Sequence, residues 1–404
     1  MPTFRYVVKN PTGRVFRGSI DIDSKRALLE RLWEQELVVL SVEERRNGRV
    51  SRLMLNSPPV KAKELVIFSR QLATMVGSGI PIIGALDVLA EPVKNHLFRE
   101  VLRHSRDEVE GGSSLSQAMS RHPRVFSDLF VNMVSAGESS GKLDDILDRL
   151  ATYLEKSDAL RRKVQSSLTY PAVVLCLAFG VTAFLLIVVV PKFRDIFAAL
   201  SSELPLPTRI LLNTSEFLSK YFVVEVALLA AGAFAFRAWV KTDAGRRWFD
   251  RWILRIPVFG ELFQKVAIAR FARTLATLLR SGVPVLTALE IVAKTIGNRV
   301  IEEAVLDART SVKDGKFLSA PMGQNHLFPG MAVRMILVGE STGRLEQMLG
   351  KIADFYESEV DTAVAGLTTL IEPIVIAVLG VIVGGIAVAL LLPVFTLPNI
   401  VGGR

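Results

Sequence analysis

The stretch of this 404-residue chain that looks most like a chemical site is Gly137-Glu-Ser-Ser-Gly-Lys-Leu143, in which a lysine follows the second of two glycines. A loop that cradles nucleotide phosphates needs four residues between its glycines, and a Ser or Thr after the lysine to reach magnesium. Here three residues separate the glycines and a leucine follows the lysine. A second copy, Gly339-Glu-Ser-Thr-Gly-Arg-Leu345, has arginine in place of lysine. The pattern favours a tight turn between two helices, with Ser140 or Thr342 capping the second helix.

Other reactive side chains are few. The single cysteine, Cys176, excludes an intramolecular disulfide and a multi-cysteine metal site. The four histidines show no metal-ligand spacing of the H-E-x-x-H kind, and no nucleophile has a base near it in sequence. We therefore predict no catalytic residue, no metal site and no cofactor. The histidines are His96, His104, His122 and His326.

Two sets of acidic residues leave ion binding open. One is a helix face with four carboxylates, which is more simply a solvated surface than a calcium site. The other is Glu225, near the end of an apolar segment, where an interfacial carboxylate is the simpler interpretation than a proton or ion ligand. The acidic face consists of Asp144, Asp145, Asp148 and Glu155.

An internal repeat contains both glycine turns. Residues 68–95 align without a gap with residues 271–298, and 12 of the 28 pairs are identical. The match continues into apolar segments, where Pro171 corresponds to Pro373, and the Pro191-Lys-Phe tripeptide to Pro393-Val-Phe. The repeating unit is therefore a polar helical domain together with the apolar segment that follows it.

Charged residues that recur in both copies are candidates for a shared role. We expect a salt bridge inside each domain, from Arg70 to Glu138 and from Arg273 to Glu340, and the alternative is contact with a partner protein. The glycines of the two turns complete the set. The candidate partner-binding or domain-stabilising residues are Arg70, Glu138, Gly141, Arg273, Glu340 and Gly343.

Three apolar segments are long enough to cross a bilayer. The chain is 50% hydrophobic with a mean hydropathy of +0.37, yet 22% of its residues are charged, which suggests membrane spans joined to polar domains. Twenty uncharged residues from Pro171 to Val190 would form a helix of about 30 Å. The predicted transmembrane helices cover residues 166–192, 221–240 and 369–395. The second is the weakest, because Glu225 and Arg237 lie inside its ends.

The flanking charges predict the orientation. Arginines and lysines precede the first span and follow the second, whereas the connection between them is nearly neutral, and positive flanks stay in the cytoplasm. The N-terminus has no apolar h-region, so we expect no cleaved signal peptide. The N-terminus and both helical domains are therefore expected in the cytoplasm, with the middle span returning the chain. The net charge of +9 is spread along the sequence without a basic stripe, which argues against a nucleic-acid partner.

The fold class follows as mainly α: a polytopic membrane protein with three transmembrane helices, two homologous cytoplasmic helical-bundle domains and a small mixed α/β N-terminal module. In that module, strands near 4–8, 15–20 and 38–42 surround a helix over Ser24–Gln35. The predicted segments are 1–55 for the α/β module, 56–165 for the first helical domain, 193–220 for a periplasmic connection, 241–368 for the second helical domain and 396–404 for a periplasmic tail.

These motifs together resemble the GspF/PilC family. The resemblance rests on Phe-x-Arg-x-Leu-Ala-Thr with Ser-Gly-x-Pro in two copies, on the two glycine turns, and on Tyr170-Pro171 and Glu372-Pro373 at the start of the outer spans. It implies a non-enzymatic inner-membrane platform, an oligomer, in a type IV pilus machine or a type II secretion system. Its implied partners are a hexameric cytoplasmic ATPase, pilin or pseudopilin subunits and other inner-membrane components of the machine.

Three alternatives remain at this stage. The stretch from Glu359 to Pro373 favours the pilus branch over the secretion branch. A small-solute transporter or channel would need ionisable or helix-breaking residues at the membrane midplane, and the strong spans offer only glycines and Thr182. An enzyme at the membrane face would need to turn over nucleotide by itself.

Overall fold

The computed structural model describes most of the chain, in two compact units that comprise residues 1–127 and 128–404. The boundary falls inside the predicted domain 56–165, so the last two helices of that domain belong to the second unit. The described residues are 3–9, 15–21, 28, 38–45, 58–198, 205–257 and 259–401.

Unit 1 begins with a three-stranded antiparallel sheet in which β1 is central. The pairing of β1 with β3 shifts register between Val7 and Val8, and Val8 is buried. The predicted helix Ser24–Gln35, apart from Leu28, and most of the linker to Pro59 lie outside the described residues. The strands are β1 Thr3–Lys9, β2 Val15–Asp21 and β3 Val38–Arg45.

Four helices complete the described part of unit 1. An aromatic cluster forms their core, where the ring of Phe68 lies edge-on to Phe98 at 5.3 Å and tilted against Phe126 at 6.2 Å. The side chain of Asn95 accepts a hydrogen bond from the Phe98 N–H and so caps the third helix. The helices are α1 Ala62–Gly77, α2 Ile82–Ala90, α3 His96–Glu110 and α4 Leu115–Ser120.

Unit 2 is helical throughout its described residues. A single π-helical turn, Leu185–Val189, joins its second and third helices. The helices are α5 Asp128–Ser140, α6 Leu143–Phe184, α7 Val190–Ala198, α8 Leu206–Val240, α9 Asp243–Ile253, α10 Phe259–Arg280, α11 Val285–Ile296, α12 Arg299–Lys313, α13 Ser319–Gln324, α14 Gly330–Ser341 and α15 Leu345–Val401.

The second copy of the repeat builds its core as the first copy does. Phe271 and Phe328, which correspond to Phe68 and Phe126, form an edge-on pair at 5.5 Å. Asn298, the counterpart of Asn95, accepts hydrogen bonds from the N–H groups of Val300 and Ile301 and caps α12. Matched sequence positions therefore perform matched structural tasks.

Among the described residues, three helices are long and apolar enough to span a membrane, within Leu143–Arg194, Leu206–Val240 and Pro373–Pro393. The middle helix begins 15 residues before the predicted start of its span, so much of the expected connection 193–220 is helical. Pro205 and Pro207 lie at the first positions of α8, where a missing N–H costs no hydrogen bond. Likewise, α15 continues to Val401, through most of the expected tail.

Candidate functional site

The two glycine turns connect α5 to α6 and α14 to α15. Gly141 and Gly343 have φ angles of 67° and 69°, in the left-handed region that favours glycine. A Cβ added at Gly339 would lie 2.9 Å from the Cα of Leu345, which shows how closely the two helices approach. The tight-turn prediction is confirmed, and these glycines have a structural explanation.

The predicted capping by Ser140 or Thr342 is wrong. The hydroxyl of Ser140 donates to the carbonyl of Ala136, and that of Thr342 donates to the carbonyl of Val338. Both hydroxyls therefore bond back to the helix that is ending. This local bond competes with capping because a Ser or Thr in the last turn finds a carbonyl four residues earlier.

The predicted salt bridge from Arg273 to Glu340 is also wrong. Glu340 accepts hydrogen bonds from the backbone N–H groups of Leu318 and Ser319, at 2.5 and 3.0 Å, and so holds the start of the short helix α13. Arg273 instead pairs with carboxylates on α15. Backbone amides at a helix start satisfy a carboxylate as well as an arginine does, and sequence spacing cannot distinguish the two.

The first-copy pair remains a prediction. Arg70 lies on α1 in unit 1 and Glu138 lies on α5 in unit 2. Both side chains take part in polar interactions.

Arg273 pairs with two carboxylates of α15. Its Nε lies 2.8 Å from Glu357 Oε1, and its terminal nitrogen lies 2.5 Å from Asp354 Oδ1 and 2.8 Å from Glu357 Oε2. Burial alone would raise the pKa of Asp354, but its bond to Arg273 and the nearby cations lower it below the ordinary value. Burial likewise opposes the Arg273 charge, while its bonds to Glu357 and Asp354 raise its pKa.

A buried hydrogen bond joins α6, the last helix of the first repeat, to α10 of the second. The hydroxyls of Tyr153 and Thr274 lie 3.0 Å apart, and both side chains are buried. Burial raises the pKa of the Tyr153 hydroxyl, which therefore stays protonated. Close by, the guanidinium of Arg149 donates to the carbonyl of Arg280 at 2.6 Å. Sequence reasoning missed this contact, because Tyr153 reads as one more apolar position of α6.

The same junction continues along α15 toward the membrane. Leu262, Val360 and Val364 form a buried cluster, against which Leu160 and Val164 of α6 pack. Two ion pairs border it, Lys156 with Asp354 at 3.8 Å and Lys163 with Asp361. The two repeats are thus connected by α6, α10 and α15, a surface that we call the repeat junction.

Three of the four carboxylates on the acidic face of α6 take part in polar interactions. Asp145 pairs with Arg149 one turn later, at 2.7 Å. Asp148 and Glu155 also have polar interactions. Within the described residues, no group of three or more His, Cys, Asp or Glu side chains is placed to hold a metal ion.

Two of the histidines meet in unit 1. His104 Nδ1 and His122 Nε2 lie 3.0 Å apart, and the Glu108 carboxylate lies 3.5 Å from His104 and 2.7 Å from Arg121. Burial lowers the pKa of His122, and the neighbouring His104 lowers it further. This pair could not be predicted from the sequence, because its members lie 18 residues apart, on α3 and beyond α4.

Comparison with known proteins identifies the repeated unit. The family model described as "Type II secretion system (T2SS), protein F" matches residues 68–191 and again residues 271–393, and the N-terminal domain model of the same protein matches residues 1–43. The chain belongs to the type II secretion system protein F family. The two matches begin at Phe68 and Phe271 and end at Pro191 and Pro393, which are the paired positions of the internal repeat.

Relatives within this family cover nearly the whole chain. The type IV pilus assembly protein PilC of Thermus thermophilus is 45% identical over 98% of this chain and 98% of its own length. PilC of Myxococcus xanthus is 44% identical over 84% of this chain and 81% of its own length. The type II secretion system protein F of Pseudomonas aeruginosa is 34% identical over 100% of both chains.

Each protein F domain ends at a proline that leaves one carbonyl without its helical partner. In α15, the carbonyl of Ala389 would accept from residue 393, but Pro393 has no N–H. The buried hydroxyl of Thr208, on α8, donates to that carbonyl instead. A polar group in an apolar environment is thereby satisfied by the neighbouring helix.

The first protein F domain repeats this arrangement through its π-helical turn. The Val190 N–H bonds to the Leu185 carbonyl, so the Leu186 carbonyl would have to accept from Pro191, which has no N–H. The hydroxyl of Ser215, seven residues after Thr208 on α8, donates to the Leu186 carbonyl. Both hydroxyls lie on the same face of α8, beside a buried apolar cluster of Val190, Leu212, Ile386 and Leu390.

Proposed function

We propose that this chain is an inner-membrane assembly platform, itself without enzymatic activity, which couples a hexameric cytoplasmic ATPase to insertion or extraction of pilin-like subunits during type IV pilus biogenesis. Membership in the protein F family supports a role in a pilus or secretion machine. Homo-oligomerisation and contacts with other membrane components of the machine are part of the proposal.

The observation that carries the coupling is the continuity of α15. This helix runs for 57 residues from the Gly343 turn, through the repeat junction and into the span that begins near Pro373. At about 1.5 Å per residue it is about 85 Å long. The first repeat has the same design, because α6 passes through the repeat junction and into the first span. A helix without a break transmits a displacement of the domain directly to the membrane segment.

The proposed orientation places the N-terminus and both helical domains in the cytoplasm. The cations that precede the first span and follow the second support it. We propose residues 56–165 and 241–368 as the two domains, and residues 1–55 as a mixed α/β module whose three strands are described above. With this orientation, both domains are accessible to one cytoplasmic motor.

The pilus branch is supported by the degree of similarity. Identities to pilus assembly proteins reach 45% over nearly full length, compared with 34–36% for three secretion relatives. A gene neighbourhood with pilins is expected, and one with pseudopilins would favour the secretion branch.

Crosslinking in native membranes tests the coupling. A photoreactive residue at Lys142 or Arg344, which are exposed in the two glycine turns, should crosslink to the assembly ATPase of the same cell. The matched control is Arg209, exposed near the start of α8 and expected on the far side of the membrane. ATPase adducts from neither turn, or equal adducts from Arg209, would contradict the proposal. Solute flux or nucleotide turnover by the purified chain in vesicles would instead revive the transporter or enzyme alternatives.

A further inference from the structure

A cluster of exposed aromatic and basic side chains surrounds the end of α8 and the helix α9. Three of the four tryptophans of the chain lie within residues 239–252. Trp239 contacts Trp248 at 5.4 Å, and Trp248 stacks on Trp252 at 6.2 Å with nearly parallel rings. All three side chains are between 43 and 53% exposed. We call this cluster, with the cations described below, the aromatic-basic surface.

One face of α9 contacts the start of α12, so the opposite face is exposed. The buried Asp250 accepts a hydrogen bond from the Arg299 N–H at 2.7 Å, so α9 is attached to the start of α12. The side-chain amide of the preceding residue, Asn298, also donates to the backbone carbonyl of Asp250. Trp248 and Trp252, one helical turn apart, therefore point away from this attachment.

The cations around the tryptophans include four without an acidic partner. Six cations and two carboxylates lie between residues 237 and 255. Arg247 pairs with Glu303, and Arg246 lies 4.0 Å from Asp250. For the other four, no carboxylate lies within 4.0 Å among the described residues. These are Arg237, Lys241, Arg251 and Arg255.

Connectivity places this surface at the membrane boundary. The apolar helix α8 ends at Val240 and α9 begins at Asp243, so only two residues separate a candidate span from α9. Next to this link is an open groove of about 650 Å³, lined by Phe234, Phe236 and Phe249 with Arg237 and Lys241. The groove thus combines a mostly apolar lining with two basic side chains.

We propose that the aromatic-basic surface binds anionic phospholipid, with acyl chains along the groove and the phosphate headgroup at Lys241, Arg237 and Arg251. Tryptophan prefers the interfacial layer of a bilayer, where its ring is apolar and its N–H is hydrated. Unpaired arginines and lysines complement the negative headgroups. A partner protein would have to supply many carboxylates at the same depth, whereas the C-terminal half of α8, which is exposed along most of its length, would be surrounded by lipid. The inference is independent of the platform role.

Fluorescence quenching by brominated lipids tests this directly. The full chain, with Trp33, Trp239 and Trp252 changed to Phe so that Trp248 is the reporter, is placed in phosphatidylcholine nanodiscs with rising fractions of brominated phosphatidylglycerol. Trp248 should be half-quenched at a lower fraction of this lipid than of brominated phosphatidylcholine. Replacing Arg251 or Lys241 with Gln should raise the half-quenching fraction about fivefold for each cation removed.

The matched control is Lys63→Gln, an exposed lysine on α1, which should leave the half-quenching fraction unchanged. Equal quenching by the two lipids, unaffected by Arg251→Gln and Lys241→Gln, would overturn the proposal in favour of simple partitioning of the rings. Absence of quenching by either lipid would also overturn it, because a protein would then cover the surface. Near-native thermal unfolding of each variant shows that any loss is not a folding defect.

Discussion

Thr208 donates its hydroxyl hydrogen to the carbonyl of Ala389, the group that Pro393 leaves without a partner in its own helix. Ser215 does the same for the carbonyl of Leu186, which Pro191 leaves unpaired. The middle apolar helix α8 therefore contributes more than the return path that we propose for it. It satisfies the polar backbone of both outer spans at equivalent points of the repeat.

Removal of these hydroxyls should destabilise the membrane part of unit 2. We expect Thr208→Val and Ser215→Ala to cost about 0.6 kcal/mol each, with an upper range near 1.7 kcal/mol. Thermal unfolding in detergent measures the loss. Thr214→Val is the control, because its exposed hydroxyl bonds to the Ile210 carbonyl of its own helix and not to another helix among the described residues. An equal loss in Thr214→Val would refute the role assigned to the two interhelical bonds.

The repeat junction should depend on the bond between Tyr153 and Thr274. Tyr153→Phe and Thr274→Val should each cost about 1–3 kcal/mol, since each removes a buried hydrogen bond, and the double variant should lose less than the sum. Tyr170→Phe, at an exposed tyrosine of the same helix, should be nearly neutral. Additive losses in chemical denaturation would show that the two hydroxyls are not coupled.

The left-handed turn at Gly343 predicts a sharp contrast between two alanine variants. Gly343→Ala should destabilise by about 1–2 kcal/mol because a Cβ is strained at positive φ. Gly366→Ala, in the interior of the following helix α15 with open space around the Cβ, should stabilise by up to about 1 kcal/mol. Melting temperatures that shift in the same direction for both variants would contradict this explanation of the motif.

The ionic cluster at Arg273 predicts a pH dependence at low pH. The folded protein holds the pKa of Asp354 below its ordinary 3.8, so the unfolded state binds more protons. The stabilisation is thus complete above about pH 5 and is lost as the pH falls through the folded pKa, below 3.8. Arg273→Gln should cost about 1–2 kcal/mol at pH 7, discounted for the exposure of Asp354, and less at pH 3. A loss that is constant between these pH values would contradict the pairing.

The histidine pair predicts a second pH dependence, in unit 1 and nearer neutrality. Because burial and His104 lower the pKa of His122, the unfolded state binds more protons below its ordinary pKa of 6.5. Stability should be complete above 6.5 and should fall as the pH drops toward the lowered folded pKa. His122→Gln should flatten the melting temperature between pH 7.5 and 5.5, while His96→Gln, at an exposed site, should keep the slope. An unchanged slope in His122→Gln would disprove the assignment.

The sequence predicted what depends on local pattern and repetition. The three spans follow from runs of apolar residues, and the duplicated helical domain follows from the alignment of the two copies. The partners of Arg273 and Glu340 could not be predicted from the sequence. Either residue is stabilised by the other or by a different polar group, and the packing of the helices determines which group lies close enough. Thr208 and Ser215 were missed for a similar reason, since a hydroxyl in an apolar helix usually bonds to its own backbone.

The helical continuity of α15 could not be predicted from composition alone. Pro373 stands where a helix break was plausible, yet α15 passes through it. Proline within a membrane helix is tolerated when neighbouring groups satisfy the freed carbonyl. The coupling proposal therefore depends on a feature that only the structure provides.

The most direct test of the account is a labelling map that shows which compartment each domain occupies. In a chain with Cys176→Ser, single cysteines at Ser113 and Lys316, which follow Gly112 and Gly315 in equivalent turns, are exposed to a membrane-impermeant maleimide, with Arg209→Cys as the opposite-side reference. The account predicts that Ser113→Cys and Lys316→Cys are both labelled in inverted inner-membrane vesicles and protected in spheroplasts, while Arg209→Cys shows the reverse. Labelling of Ser113→Cys and Lys316→Cys from opposite faces would contradict it.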